Sequence, residues 1–418
     1  MSSGELLHSP RRWRPGRYLR SSGGLFFWLA TRAGIQVLLI FGLTRVLNAS
    51  EYGSFVAAIA VATLFTPLAG LGMYSVVVRD GARDIDHLPE MFRQALRLWW
   101  RAALAFGLLG IVTADLILPS TTAALPLAAL VFSEITSTSL TELTARKEQA
   151  QHRIQRFGAM NAGLALSRLG ALGVCAIGQA SLEGWMWSYA LVSIGYAGLL
   201  TTWTLAKMPP STTTKHDWKL LREGRPFLLA ILSLRVQSEV NKPIIAHTGL
   251  AAVGNFNIAQ RALDIAALPL NALQEALAPR LFASSHPIRH AALPLTLIVG
   301  LAALEGLAIW YAAPLLPQLL GAGYDNVTWL IRAMVAIPAV QAFRGVLGIA
   351  IVALDRASAL TGSYIVSMVA SIALNLYLVP RYDVQGAVIA VYTTELVTSA
   401  ILTAILSHHL VVQRRPHP

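Results

Sequence analysis

The chain has little with which to do covalent chemistry. A single cysteine in 418 residues, Cys175, rules out an internal disulfide, and its place inside an apolar run reads as a small packing residue. The 10 histidines are scattered over tail and loop positions, ending with His408 and His409, without cysteines or paired carboxylates at ligand spacing. No metal site is expected from that pattern. There is no glycine-rich loop of the phosphate-cradling kind, which argues against ATP hydrolysis by this chain. Charge is scarce too: 13% of residues are Asp, Glu, Lys or Arg, against 55% hydrophobic, so no sizeable soluble domain fits.

What fills the chain instead is twelve apolar stretches, near 24–47, 52–78, 96–118, 121–144, 158–179, 184–206, 226–247, 251–279, 292–316, 327–353, 359–379 and 385–408. These are called spans 1 to 12. Each has the roughly 20 residues a helix needs to cross a hydrocarbon core, and a helix satisfies its own backbone there. The expected class is an all-α membrane protein.

The basic residues fall in every second gap. Arg11, Arg12, Arg14, Arg17 and Arg20 precede span 1; Arg79, Arg83 and Arg93 follow span 2; Arg146, Lys147, Arg153 and Arg156 follow span 4. Lys207, Lys215, Lys219, Arg222 and Arg225 follow span 6, Arg280 and Arg289 span 8, Arg356 span 10, and Arg414 and Arg415 span 12. The other gaps offer Arg45 and Arg381 at helix ends. The positive-inside rule then puts both termini in the cytoplasm, and span 1 reads as an uncleaved signal anchor. A net charge of +12 is used in orientation and headgroup contact, not in nucleic-acid binding.

A polar segment with Pro209, Pro210 and the run Ser211 to Thr214 separates six spans from six. The expected organisation is a basic tail at 1–20, a first lobe at 21–206, a linker at 207–225, a second lobe at 226–409 and a tail at 410–418. The halves echo each other at an offset of about 201 residues: Gly53-Ser54-Phe55 against Gly254-Asn255-Phe256, and Arg79 against Arg280; Gly184 and Gly386 open spans 6 and 12. Six spans per repeat keep the two copies in the same orientation, giving a pseudo-twofold axis along the membrane normal and a site between the lobes.

These residues also carry a resemblance. Leu43 to Leu47 with Glu51-Tyr52-Gly53, Leu71-Gly72-Met73 through Arg79, Val253 to Ala259, Ala276 to Pro279, Leu320 to Tyr324 and Asn375 to Ala387 together resemble the bacterial polysaccharide flippases. That family belongs to the multidrug/oligosaccharidyl-lipid/polysaccharide exporter superfamily, and the likeness runs from about residue 22 to 405. It implies a V-shaped transporter of about twelve helices, like the multidrug and toxin extrusion (MATE) proteins. Its cargo would be a polyprenyl-pyrophosphate-linked oligosaccharide, moved from the cytoplasmic to the periplasmic leaflet of the inner membrane for O-antigen, capsule or exopolysaccharide synthesis. Working partners would be a polysaccharide polymerase and a chain-length regulator. The chain departs from the family in span 7, where Glu239, Asn241 and Lys242 replace the usual adjacent acid and base.

Read without the family, the spans still contain Arg32, Arg101, Arg168, Arg235, Lys242, Arg261, Arg332 and Arg344. Each cation facing lipid costs about 2.5–3.5 kcal/mol, on the order of 20 kcal/mol for all of them, so most must face water or a partner. Arg101, beside Trp99 and Trp100, is placed to snorkel. Arg235, Glu239 and Lys242 share one helical face, as do Arg261, Asp264, Asn271 and Glu275.

Two interpretations stand for these stripes. One is interhelical packing, with pairs such as Arg235 with Glu239 or Arg261 with Asp264. The other is a cationic cavity for a pyrophosphate, built from Arg32, Arg235, Lys242, Arg261, Arg168 and Arg344. Gln36, Asn161, Asn271 and Gln341 are the glycan-contact candidates. Glu239, Asp264, Glu275, Glu305 and Glu395 are candidates for coupling to a proton or sodium gradient; Glu305 and Glu395 lack a cation nearby in sequence, which favours a neutral carboxyl. No cofactor is expected. The alternatives are a multidrug exporter, whose cationic cargo would want acidic surroundings, and a membrane glycan polymerase or ligase, which would want larger extracytoplasmic loops. A non-catalytic scaffold remains open at this point.

Orientation has a direct test. A cysteine at Asn48 or Asp325 should react with a membrane-impermeant maleimide from the periplasm, and one at Ser211 should not. The reverse pattern would overturn the topology.

Overall fold

The computed structural model describes residues 15–119, 122–209, 217–282, 284 and 287–413. Arg11, Arg12, Arg14, Ser211 to Thr214, Lys215, Arg414 and Arg415 lie outside the described residues. All twelve predicted spans are helical. Span 1 is Pro15–Val46, spans 3 to 6 are Leu88–Ile117, Ala124–Ala150, Ile154–Ile177 and Leu182–Ala206, and span 9 is Pro287–Ala312. Spans 11 and 12 run as Ala357–Gln413, bent where Tyr382 and Asp383 leave helical angles. Eight helical segments among the described residues are long and apolar enough to cross a membrane, the last holding spans 11 and 12.

The remaining spans are interrupted, at a proline in spans 7, 8 and 10 and at the left-handed pair Leu71-Gly72 in span 2. A proline ring clashes with the carbonyl four residues back and its nitrogen gives no hydrogen bond. Pro243 breaks span 7 into Asp217–Glu239 and Asn241–Ile245, Pro269 breaks span 8 into Leu250–Ala266 and Leu268–Phe282, and Pro338 breaks span 10 into Val327–Met334 and Ile337–Ala353. Span 2 is Ala49–Gly70 followed by Met73–Gly81. It opens with a capping box in which Asn48 accepts from the Glu51 amide and the Glu51 carboxylate accepts from the Asn48 amide.

Spans 1 to 6 pack on one another, as do spans 7 to 12, and the two groups meet chiefly through span 2 against spans 7 and 8. On the face opposite the chain ends, Gly53 and Gly254 touch: a Cβ on Gly53 would fall on the Leu250 carbonyl, and one on Gly254 would lie 3.1 Å from the Ala49 carbonyl oxygen. Two repeat-related residues can touch only near their symmetry axis, so this contact fixes the pseudo-twofold. Around it, Asn257 Nδ2 donates to Tyr52 Oη at 2.9 Å, and the Tyr52 and Tyr324 rings meet edge to face.

The core divides in the same way. One cluster joins Tyr52, Phe55 and Val56 of the first lobe to Val253, Phe256 and Tyr324 of the second. Leu270, Leu277, Ile298 and Val346, in the part of the second lobe toward the chain ends, form a separate cluster without first-lobe members. The lobes therefore share a core along one face and, toward the chain ends, part on the side of spans 8 to 10, a V. Toward the chain ends, one side of the V is held where Gly72 and Gly224 pack backbone to backbone and Arg79 pairs with Glu223 and with Asp80 at 2.7 Å. The Arg79 guanidinium holds the Asp80 carboxyl below the usual carboxylate range. Among the described residues no comparable contact joins span 1 to span 8, which leaves that side open.

A leucine at Gly53 should wedge the seam apart. Spin labels at Ser50 and Asp325, one on each lobe, should then separate by about 2 Å or more, the range over which interhelical distances grow with interface side chains. An unchanged distance in folded Gly53→Leu protein would mean that the seam does not hold the lobes together.

Candidate functional site between the lobes

Broken helices inside a membrane free backbone groups and bring polar side chains to one level, which is tolerated where the break lines a cavity. Span 7 is interrupted at Val240, between Glu239 and Asn241, and span 8 at Ala267, three residues past Asp264, each with near-helical angles and a proline two or three residues on that leaves a carbonyl of the preceding turn free. Gln260 Nε2 donates to the Ser238 carbonyl at 3.2 Å and ties the two breaks together.

The charges here are linked in a chain. Lys242 Nζ lies 2.6 Å from Glu239 Oε2, Arg261 Nη2 lies 3.7 Å from Glu239 Oε1, and Arg261 Nη1 lies 3.4 Å from Asp264 Oδ2. Burial grades along it: Lys242 is 1% exposed, Arg261 38% and Asp264 48%. Arg32 reaches this group from the other lobe and interacts electrostatically with Arg235, Arg261, Arg168 and Glu142. Arg32, Arg235 and Asp264 are exposed, yet Arg32 and Asp264 have protein on most sides. That combination describes side chains on the wall of an internal cavity.

The cavity wall is cationic. Arg32, Arg235 and Arg261 are three cations beside the single exposed carboxylate of Asp264, with Glu239 and Lys242 paired and buried behind them, while Glu142 is held by Arg146 at 2.6 Å. Arg235 makes no ion pair among the described residues, so its expected pairing with Glu239 does not form; Lys242 and Arg261 take that carboxylate. Lys242 is itself a correction: expected on the cavity wall, it is sealed beneath Glu239.

Two other predicted cations are committed within their own lobes. Arg168 of span 5 donates from Nη2 to Glu134 Oε2 at 2.6 Å and to Thr138 Oγ1 at 3.2 Å, and from Nε to Ser193 Oγ at 3.0 Å. It lies over the Tyr189 ring, and Tyr189 Oη donates to the same carboxylate. In the second lobe, Arg344 lies 3.0 Å from Glu395, faces the Tyr364 ring, and Gln341 donates to Glu395 at 3.0 Å. Glu395, expected to lack a cation nearby, has one in Arg344, which arrives from 51 residues away. Sequence reasoning missed both triads for that reason: neither partner is local.

The rest are dispersed. Gln36 follows Arg32 by one turn on span 1, while Asn161 donates to the Phe157 carbonyl of its own helix at 3.1 Å. Asn271 and Gln341 meet Asp264 and Gln274 around a cavity of about 180 Å³. Glu275 is exposed, and Glu305 finds no cation among the described residues, leaving Oε2 buried without a partner. Arg332 stacks on Trp310 and donates to its carbonyl. No group of three or more metal-ligating side chains occurs among the described residues.

No protein-family model matches the sequence, and no curated protein does. Solved structures match the whole architecture. The lipid II flippase MurJ in an inward closed conformation gives a TM-score of 0.74 at 10% identity, over 93% of this chain and 87% of that one. This is the fold of the lipid flippases and MATE transporters. A MATE-family multidrug resistance transporter of the MOP superfamily, inward-facing, gives 0.66 at 14% identity over 94% and 96% of the chains. The MATE multidrug transporter DinF-BH, in a ligand complex, gives 0.63 at 12% over 97% and 98%.

The buried pair makes a stability prediction. Lys242→Met should destabilise the protein by about 3–5 kcal/mol by stranding Glu239, and Glu239→Gln with Lys242→Met together should recover most of that. Thermal unfolding of the purified variants in detergent would measure it. Equal losses in the single and double variants would show that the pair is not coupled as described.

Proposed function

We propose that the protein is a flippase that carries a polyprenyl-pyrophosphate-linked oligosaccharide from the cytoplasmic to the periplasmic leaflet of the bacterial inner membrane by alternating access. The observation that carries this reading is the cation excess on the cavity wall, above all Arg32, Arg235 and Arg261. A pyrophosphate brings negative charge and many acceptor oxygens, and the arginine fork presents matching donors. Cation–cation repulsion in an empty cavity is relieved when that anion enters, so binding energy is available where the headgroup must cross. The open side between spans 1 and 8 would let the lipid tail stay in the bilayer while the headgroup enters. Gln36, Asn161, Asn271 and Gln341 are proposed as glycan contacts, with Arg168 and Arg344 bracing the lobes.

The chain ends are proposed to face the cytoplasm, so the V opens toward the leaflet where such lipids are assembled. A coupling ion would act through the carboxylates near the breaks, Glu239 and Asp264, with Glu275, Glu305 and Glu395 as further candidates. A polymerase and a chain-length regulator are the proposed partners downstream. Two lobes at 21–206 and 226–409, joined by a linker at 207–225, would supply the moving parts.

A multidrug exporter is the second reading. The half-exposed carboxylate of Asp264, available to a cationic drug, is the observation on its side.

Proteoliposomes loaded with an undecaprenyl-pyrophosphate-N-acetylglucosamine probe distinguish the two. Arg235→Gln or Arg261→Gln should slow translocation about 10- to 100-fold, the worth of one charge-assisted hydrogen bond, with lysine at either position retaining part of the rate. Normal translocation by a folded triple variant, Arg32→Gln with Arg235→Gln and Arg261→Gln, would sink the flippase reading. Export of the cationic dye ethidium that depends on Asp264, without lipid translocation, would establish the second.

A further inference from the structure

On the face opposite the chain ends, the second lobe has a cavity of about 580 Å³ that the central site does not use. Its walls are the start of span 8 with Asn255, the start of span 10 with Asn326 and Trp329, and the turn between spans 11 and 12 with Tyr382, Asp383 and Gln385. The size lies within the ~300–1,000 Å³ typical of small-molecule sites.

The side chains are of two kinds. Trp329 and Tyr382 are 45% and 52% exposed, large aromatic rings left open at the cavity. Among the described residues, Asn326, Trp329, Tyr382, Asp383 and Gln385 make no side-chain hydrogen bond or ion pair. Asn255 is 2% exposed; its Nδ2 donates to the carbonyls of Ala251 at 2.8 Å and Gly323 at 3.2 Å, and its Oδ1 is left buried without a partner. A buried acceptor without a donor costs about 1–3 kcal/mol, which a ligand hydroxyl would relieve.

The turn is held in a costly shape. Asp383 has φ 47 and ψ −134, a conformation that favours glycine, and Gly386 sits so close to the Leu378 carbonyl that no Cβ fits. Arg381 secures the end of span 11 by donating to the Tyr377 carbonyl at 2.8 Å and lying over that ring. Strain kept at a pocket rim is a marker of function.

The first lobe shows the contrast. At the related corner Trp185 is fully buried between Phe55 and Tyr189. At 201 and 202 residues further on stand Gly386 and Ala387. The second lobe lacks the indole that fills the first.

We propose that this cavity binds saccharide, taking a pyranose unit of the transported glycan as it leaves the seam beside Gly254. A pyranose has an apolar C–H face that stacks on an aromatic ring and an edge of hydroxyls that both give and accept hydrogen bonds. Trp329 and Tyr382 supply the platforms, and Asn255, Asn326, Asp383 and Gln385 supply the acceptors and amide donors. The inference rests on the flippase reading.

Saturation-transfer NMR on the protein in nanodiscs, with free glucose, galactose, rhamnose and N-acetylglucosamine as probes, tests it together with translocation of the lipid-linked N-acetylglucosamine. At least one sugar should receive saturation. Trp329→Ala and Asp383→Asn should each weaken its binding about tenfold, the scale of one stacked ring or one hydrogen bond, while Trp329→Phe keeps most of it. Trp329→Ala should also slow translocation severalfold. Arg261→Gln, a central-site change, should leave sugar binding intact, so a failed flippase reading and a failed sugar site give different results. No saturation of any sugar, binding that survives Trp329→Ala in folded protein, or sugar binding that depends on Trp329 while translocation does not, would each overturn the proposal.

Discussion

The cost of placing charge inside a bilayer governs this molecule. Each cation within a span needs an anion, an aromatic face or water, because hydrocarbon offers none of these. Three solutions occur side by side. Arg332 lies on Trp310 near a helix end, Arg168 and Arg344 are locked into triads with Glu134 and Glu395, and Arg32, Arg235 and Arg261 border a space between the lobes. The last is available only because the two halves are splayed, so the V and the intramembrane charges require each other.

Proline and glycine shape that space. Pro243 and Pro269 interrupt spans 7 and 8 beside the charges, and the freed segments can bend toward the cavity without exposing backbone to lipid. Gly53 and Gly254 let the lobes approach at backbone distance on one face, and Gly72 with Gly224 does the same near the other. Contacts this close are intolerant of side chains, which gives the interface a few discrete arrangements and suits rocking of one lobe on the other.

Much of the architecture was legible because its signals are local or periodic. Apolar run length locates all twelve spans, and the repeat offset pairs Gly53 with Gly254, which touch in the fold. Proline positions alone do not mark the interruptions in spans 7, 8 and 10, because Pro67, Pro226 and Pro294 lie inside continuous helices. Helical spacing put Arg261 beside Asp264, as observed, but it could not choose between Arg235 and Lys242 for Glu239. Helical spacing places both within one turn of Glu239, and in the fold Lys242 is the buried one while Arg235 is exposed. The triads around Glu134 and Glu395 were invisible, since their partners lie on different helices. The wide turn at Asp383 left no mark beyond a run of polar residues.

The two triads bear on what the central charges are for. Both use an arginine, a glutamate and a tyrosine spread over the last three spans of a lobe, though on different helices: Glu134, Arg168 and Tyr189 on spans 4, 5 and 6, and Arg344, Tyr364 and Glu395 on spans 10, 11 and 12. Packing alone thus produces cations matched one to one with acids and mostly buried. The group around Arg261 departs from that pattern, with more cations than acids among the described residues and with Arg32, Arg235 and Asp264 exposed. If it served only to join helices, a balanced and dry triad would do so at lower electrostatic cost. The unmatched positive charge has no ion-pair partner among the described residues, and an anion entering the cavity would supply one.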